Sequence, residues 1–224
     1  MQTGLHKWLL HNYPAWVIFD IVFYSMPLLY FLLYKVNELY SVIAAVIMLC
    51  VNFIYIQCYT LYPANSIESF TPWLLFPCLF ITRKTKDFYL VLNGLRYFFL
   101  YFFCSAAVWK FVLGGIFNIH QMSAILLYQH KEYIASSPNG WFTNLVYWLV
   151  AHPYISYALY TGAAIVEFSF LVGFFTKKYD KIFIVAFILF LLLDLFLMRI
   201  PYWEVTPFLI TLVYSRYAQP AEAL

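Results

Sequence analysis

The sequence has very few charged residues, and this scarcity excludes most classes of soluble protein. Only 10% of its 224 residues are Asp, Glu, Lys or Arg, whereas 65% are hydrophobic. A typical soluble domain carries about 25% charged residues. The mean hydropathy of the chain is +0.78. We therefore predict an all-α, polytopic protein in the lipid bilayer, because backbone that crosses lipid satisfies its hydrogen bonds as helices.

No long run of like charges occurs along the chain. The formal net charge is only +3, and the cations are scattered among short loops, which argues against a nucleic-acid partner. The sequence also lacks a long polar block and a low-complexity tract. We expect a single integral membrane domain over residues 1–224, with an N-terminal helical hairpin (14–62) followed by a second region (70–216).

Cysteine and histidine motifs for metal binding are also missing. The four cysteines all fall within apolar stretches: Cys50, Cys58, Cys78 and Cys104. They form no CxxC pair, and we interpret them as small buried hydrophobic residues. His120 and His130 lack a ligand spacing such as HxxxH, so no metal site is predicted.

The apolar runs predict six or seven membrane spans. Six of them cover about residues 14–34, 39–61, 88–117, 154–175, 182–198 and 207–214. A further run at 70–82 is short and contains two prolines, so it is either a seventh span or a re-entrant or interfacial segment. The 118–153 connection has the pattern of short interfacial helices.

The most basic loops, residues 83–86 and 177–181, predict the orientation of the chain. Lys and Arg in short loops favour the cytoplasmic side, so we expect both loops in the cytoplasm. The 118–153 connection then lies on the outer side. The side of the N-terminus stays open, because it depends on whether residues 70–82 cross the membrane.

Two permanent cations interrupt the long apolar run 88–117. On one helix, Arg96 and Lys110 would lie about 21 Å apart along the axis and within about 40° of the same face. Lipid does not solvate charge, so cations inside a span face protein, water or a ligand. Alternatively, the long side chain of Arg96 could extend along the span so that its guanidinium group reaches the membrane interface.

Lys110 and Glu167 are predicted to meet, because a helical hairpin would bring the 88–117 and 154–175 spans side by side. Their contact is either a neutralised structural pair or the wall of a polar pocket for a ligand or a proton. Small residues at 162–164 are suited to close helix packing. Asp194 and Arg199, near the end of a later span, are interpreted as an interfacial charge pair.

Candidate site residues follow from these positions. Lys110 and Glu167 are the only catalytic candidates, since no complete catalytic set is present. The candidate ligand-binding residues include this pair, two further residues of the 88–117 span and two histidines of the outer connection that could lie at the rim of a site. They are Arg96, Trp109, Lys110, Glu167, His120 and His130.

The order of these motifs resembles the DoxX/MauE and HTTM superfamily of integral membrane proteins. The stretches that carry the resemblance are RYFFLYFFCSAAVWKF, an outer amphipathic insert and TGAAIVEFSFLVGFFTKKYDK. Members have an arginine at the start of one helix, a small-residue stretch ending in lysine, and a later glutamate before a basic turn. Arg96, Lys110 and Glu167 match this pattern, followed by the turn at 177–178. The resemblance covers about residues 73–214, with two additional N-terminal spans.

The resemblance implies two kinds of function. DoxX-like proteins include subunits associated with quinone-linked thiosulfate oxidation, and MauE-like proteins assist the maturation of a periplasmic redox enzyme. HTTM proteins include the vitamin-K-dependent carboxylase, in which a lysine of the related motif is the base in reduced-quinone chemistry. Other members assist the maturation of secreted peptides.

From this resemblance we expect an accessory protein that associates with partner membrane or exported proteins and supports their assembly or maturation. The alternative is a quinone-binding oxidoreductase subunit that uses a Lys110/Glu167 pocket. A quinone is the one cofactor that the resemblance implies. The expected location is the bacterial cytoplasmic (inner) membrane.

Overall fold

A computed structural model describes residues 4–59, 71–200 and 202–214 of the chain. In these ranges every regular element is an α-helix or a short 3-10 helix, and no strand occurs. The all-α fold predicted from composition and apolar runs is therefore confirmed.

Eleven α-helices are described in these ranges. In chain order they are α1 (Gly4–His11), α2 (Tyr13–Val36), α3 (Glu38–Tyr59), α4 (Thr71–Leu75), α5 (Pro77–Ile81), α6 (Thr85–Val112), α7 (Gln121–Ser136), α8 (Trp141–Ala151), α9 (Pro153–Ser169), α10 (Asp180–Met198) and α11 (Phe208–Tyr214). In the described part of the chain, three 3-10 segments occur between them, at Gly115–Phe117, Phe170–Phe174 and Trp203–Val205.

Five of these helices are long and apolar enough to cross a bilayer. They are α2, α3, α6, α9 with its 3-10 continuation, and α10, and they run from 19 to 28 residues. About 20 residues are needed to cross the hydrocarbon core. The chain is thus an integral membrane protein. The remaining runs counted in the six or seven predicted spans form shorter apolar helices, at 71–81 and 203–214.

The chain divides into two compact units, and the division falls within α6. The first unit comprises residues 1–95 and 203–224, and the second comprises residues 96–202. In the first unit α2 and α3 pack against each other, and the ring of Tyr55 stacks on that of Phe23 with centroids 3.9 Å apart. Asn52 ties α3 to α4, because its side-chain amide donates to the Trp73 carbonyl at 2.6 Å.

The second unit is built from the later part of α6 and from α7 to α10. Helices α7, α8 and α9 pack against one another, and α10 packs on α7. Their shared core contains the fully buried side chains of Leu126, Phe142 and Val146. The short helices predicted for the 118–153 connection are confirmed as α7 and α8.

Close contacts bring α6 against α9 and against the 3-10 helix that follows it. A Cβ added at Gly173 would lie 2.7 Å from the side chain of Leu100, so a larger residue here would force that side chain to shift. At the end of α6, Gly114 has a φ of 73°, a left-handed conformation that favours glycine. Tyr157 on α9 then donates to the Ile116 carbonyl at 2.7 Å. These contacts place the Lys110 turn of α6 beside α9.

Candidate functional site

Arg96 and Lys110, the two cations in the apolar part of α6, form ion pairs within the second unit. Each receives a carboxylate from a later helix, Arg96 from α10 and Lys110 from α9. The two pairs differ in geometry and surroundings.

The Arg96 pair is sealed inside protein. The Arg96 guanidinium donates to Asp180 through Nε at 3.1 Å and Nη2 at 2.6 Å, and Nη2 also donates to the Thr176 carbonyl at 3.3 Å. The exposed fractions of the two side chains are 1% and 0%. Arg96 thus pairs inside the protein and does not extend to an interface.

Asp180 was not predicted as a partner of Arg96, because it falls in the basic segment 177–181 that was expected to be a loop. It is the first residue of α10, where a carboxylate also interacts favourably with the helix dipole. Lys177 lies close by, outside the spans: burial and the Arg96 charge lower the pKa of its ammonium group, while Asp180 acts in the opposite direction.

The predicted contact between Lys110 and Glu167 is formed. Lys110 Nζ donates to both carboxylate oxygens of Glu167, at 2.6 Å and 2.7 Å. The Tyr160 ring lies 5.4 Å from the same nitrogen, within range of a cation–π interaction. The Glu167 side chain is buried, but 23% of the Lys110 side chain remains exposed.

Lys110 opens onto a cavity of about 530 Å³. Its walls are apolar side chains from α7, α9 and α10, and its polar lining side chains are Lys110, Tyr160 and Asp194. Of the small residues predicted to pack helices together, Ala164 is buried in the core, whereas Gly162 and Ala163 line the cavity. No neighbouring atom lies within 4 Å of a Cβ built on Gly162. Volume and lining match those of small-molecule sites in proteins, which hold few polar groups on apolar walls.

Asp194 faces this cavity and forms no hydrogen bond or salt bridge with any residue in the described ranges. Its carboxyl group interacts electrostatically with Lys110 and Glu167. The Asp194–Arg199 pair inferred from the sequence is not formed. Arg199 lies over the rings of Phe142 and Tyr133, with its guanidinium carbon 4.0 Å and 4.1 Å from the centroids.

Apart from Lys110, the predicted ligand-binding residues do not line the cavity, and Glu167 is connected to it through Lys110. Trp109 is 61% exposed, and His120 is exposed just before α7. His130 is buried, with its Nε2 2.8 Å from the Leu197 carbonyl and its ring edge-on to Phe142. Because Leu197 lines the cavity, His130 supports a wall of it from behind.

The four cysteines are all free. Among the residues that the structure describes, no group of three His, Cys, Asp or Glu side chains is arranged to hold a metal ion. The chemistry available at the cavity is therefore that of one ammonium group, its paired carboxylate, a second carboxyl and a phenol.

No protein-family model matches the chain, and neither a curated protein nor a solved structure matches it. The resemblance to the DoxX/MauE and HTTM superfamily therefore depends on the short motifs around Arg96, Lys110 and Glu167. In the structure these motifs contribute to two ion pairs with different surroundings.

Proposed function

We propose that the protein binds an apolar, isoprenoid-type molecule with a polar head, of the quinone class, in the cavity of its second unit. The observation that carries this proposal is a doubly hydrogen-bonded Lys110–Glu167 pair that opens onto an apolar space of about 530 Å³. A pair needed only for packing would be expected to have protein on every side, as the Arg96 pair does.

The pair leaves one hydrogen-bond donor for a ligand. An ammonium group has three N–H donors, and Glu167 accepts two from Lys110. Glu167 also neutralises the lysine, which allows a cation to remain at an apolar site inside the membrane. The third N–H is available to an oxygen of a ligand whose tail contacts the apolar walls.

Both parts of a quinone, the polar ring and the apolar tail, fit this arrangement. Its ring oxygen would accept from Lys110, and its isoprenoid tail would contact side chains such as Leu189, Leu193 and Phe190 that line the cavity. When bound, a quinone would supply two-electron redox chemistry. The contribution of the chain is to bind and orient the head and to exclude water from it.

We propose membership of the DoxX/MauE/HTTM superfamily and the bacterial inner membrane as the location, on the resemblance stated above. The basic loops 83–86 and 177–181 support a cytoplasmic position for those loops. In this orientation the 118–153 connection is on the outer side. The test is to introduce single cysteines at exposed positions of α7 and of the 83–86 loop and to label intact cells with a membrane-impermeant thiol reagent. The reagent should label the cysteines in α7 and not those in the 83–86 loop.

A second candidate function is the accessory role, in which the protein binds and assists another membrane or exported protein. The observation in its favour is that α2 is the least buried of the five long helices, with only 11% of its most apolar window buried. A partner helix on α2 would cover that surface. In this role the co-purifying component would be a protein in fixed stoichiometry.

The test is to identify by mass spectrometry the lipids and proteins that co-purify with the gently solubilised protein. The variant Gly162→Phe fills the cavity, and Gly94→Phe is its matched control, because a Cβ at Gly94 also meets no neighbouring atom within 4 Å and Gly94 does not line the cavity. We expect an isoprenoid quinone with the wild type and with Gly94→Phe, and its loss from Gly162→Phe. A quinone retained by Gly162→Phe would refute binding at this site, and a stoichiometric protein without a lipid would favour the accessory role.

A further inference from the structure

We infer that the polar head recognised in this cavity is a neutral hydroxyl group held between Lys110 and Asp194, and that Asp194 discriminates against anionic lipids. The inference rests on the proposed function, since it concerns the same cavity. It assigns a role to Asp194, which neither the packing of the unit nor the Lys110–Glu167 pair accounts for.

Asp194 is placed to contact a ligand and is not needed by its neighbours. It lines the cavity together with Lys110, and it makes no hydrogen bond or salt bridge to the described part of the chain. Carboxyl groups inside membrane helices are rare and normally have a partner. A partner supplied by the ligand satisfies this carboxyl.

The charges around the cavity disfavour an anionic head. With Asp194 ionised, Lys110, Glu167 and Asp194 carry one positive and two negative charges, a net charge of −1. With Asp194 protonated the net charge is zero. In neither state does the site have the net positive charge that would stabilise a carboxylate or phosphate head in an apolar environment.

The hydrogen-bonding groups favour a hydroxyl over other neutral heads. The Lys110 ammonium only donates, and an ionised Asp194 only accepts, whereas a protonated Asp194 also donates. A hydroxyl group both donates and accepts, so it satisfies the two residues in either state of Asp194. A hydrocarbon end would leave the third N–H of Lys110 and the Asp194 carboxyl without a hydrogen-bond partner, at a cost of about 1–3 kcal/mol for each buried polar group.

Two kinds of membrane molecule carry such a head on an isoprenoid tail. One is a hydroquinone, the reduced form of a quinone, and the other is an isoprenyl alcohol. Their shared chemistry is an uncharged hydroxyl on an apolar body of cavity size. Binding measurements on both distinguish them, and tight binding of either one supports the inference.

The test is direct binding of matched probes to the purified full chain in nanodiscs of phosphatidylcholine. The probes are farnesol, farnesoic acid and the corresponding hydrocarbon, which share one tail, and a hydroquinone with an isoprenoid tail. The pH is alkaline so that the acid is ionised. We expect the wild type to bind farnesol at least about tenfold more tightly than the acid or the hydrocarbon, a difference of about 1.4 kcal/mol.

Variants at Asp194 isolate its contribution. Asp194→Asn keeps the shape and an acceptor but removes the charge, so the preference for alcohol over acid should fall to about threefold or less. Asp194→Glu keeps the charge and should retain the preference for alcohol over acid. It is the control for a general disturbance of the fold by substitution at this position. Equal binding of alcohol and acid by the wild type, or an unchanged preference in Asp194→Asn, would overturn the inference.

The proposed function fails separately from this inference. If all four probes bind with similar affinity and Gly162→Phe abolishes their binding, the cavity is a ligand site and the assignment of the hydroxyl head is wrong. If none of the probes binds to the wild type, both the proposed function and the inference are wrong.

Discussion

The Arg96–Asp180 and Lys110–Glu167 pairs share a helix, a unit and a bidentate geometry, yet their surroundings differ. The side chains of the first pair are 1% and 0% exposed, and the arginine fork is occupied by two carboxylate oxygens and the Thr176 carbonyl. Those of the second pair are 23% and 5% exposed, and the lysine faces a cavity. Within one membrane protein, similar ion pairs thus differ in what they leave available to a ligand.

The chemistry of the two cations suits these two settings. Arginine presents a planar fork that matches a carboxylate and keeps its charge when buried, which suits a permanent contact between α6 and α10. Lysine is a compact point charge with donors that can be shared between a carboxylate and a ligand. The comparison therefore predicts that damage to the first pair affects folding and that damage to the second affects binding.

Arg96→Met should have the largest effect on stability. It leaves the buried Asp180 carboxylate without its arginine, and removing one partner of a buried ion pair costs about 3–5 kcal/mol. We expect a strongly lowered thermal unfolding temperature and reduced yield of folded protein in detergent. The double variant Arg96→Met/Asp180→Leu should recover much of that stability, and a single variant as stable as the wild type would show that the pair does not hold the unit together.

Lys110→Met should destabilise the protein less, by about 1–3 kcal/mol, because Lys110 separates the Glu167 carboxylate from the cavity and this carboxylate can be protonated or hydrated once the ammonium group is gone. Its main effect should be the loss of bound ligand. Lys110→Met/Glu167→Gln, which removes both charges while keeping volume, should fold nearly as stably as the wild type and still lack the ligand. Thermal unfolding and lipid extraction on the same samples measure the two effects.

Replacing each cation by the other type, arginine by lysine and lysine by arginine, tests whether the two ion pairs differ in their dependence on the cation. Arg96→Lys loses the fork that donates to both Asp180 and Thr176, so we expect a destabilisation of about 1–2 kcal/mol from the hydrogen bonds lost. Lys110→Arg keeps a charge for Glu167 and has free space ahead of it, so its effect on stability should be under about 1 kcal/mol. Equal losses in the two exchanges would mean that the two pairs are not different in kind.

Asp194→Asn should have the smallest effect on stability. Asp194 makes no hydrogen bond or salt bridge in the described ranges, so removing its charge should change the free energy of unfolding by no more than about 0.5 kcal/mol, or raise it slightly. Chemical denaturation of the purified protein measures this change. A loss comparable with that of Arg96→Met would reveal a structural role for Asp194.

The sequence predicted those features that depend on local pattern or on neighbours along the chain. Apolar runs located the five long helices, and the adjacency of two spans predicted that Lys110 meets Glu167. Asp180 was missed because its partner Arg96 lies far away in sequence and because a charged residue in a basic loop looks exposed. Only the packing of α10 on the other helices brings it inside.

One further interpretation was wrong and another held only in part, both for reasons of geometry. Asp194 and Arg199 are close in sequence, but α10 ends between them, and Arg199 takes a left-handed conformation with φ of 55° that accompanies its position over Phe142. The small residues of α9 suit helix packing as well as an open space, and only the positions of the neighbouring helices decide between the two. A cavity is therefore not readable from the α9 sequence alone.

Native mass spectrometry of the wild type beside Lys110→Met/Glu167→Gln and Arg96→Met/Asp180→Leu tests the central claim most directly. We expect an apolar ligand at one per chain on the wild type and on the folded fraction of the Arg96/Asp180 variant, and none on the Lys110/Glu167 variant. The same occupancy on the two double variants, or a wild type without ligand, would contradict the account of the Lys110–Glu167 pair as a binding site.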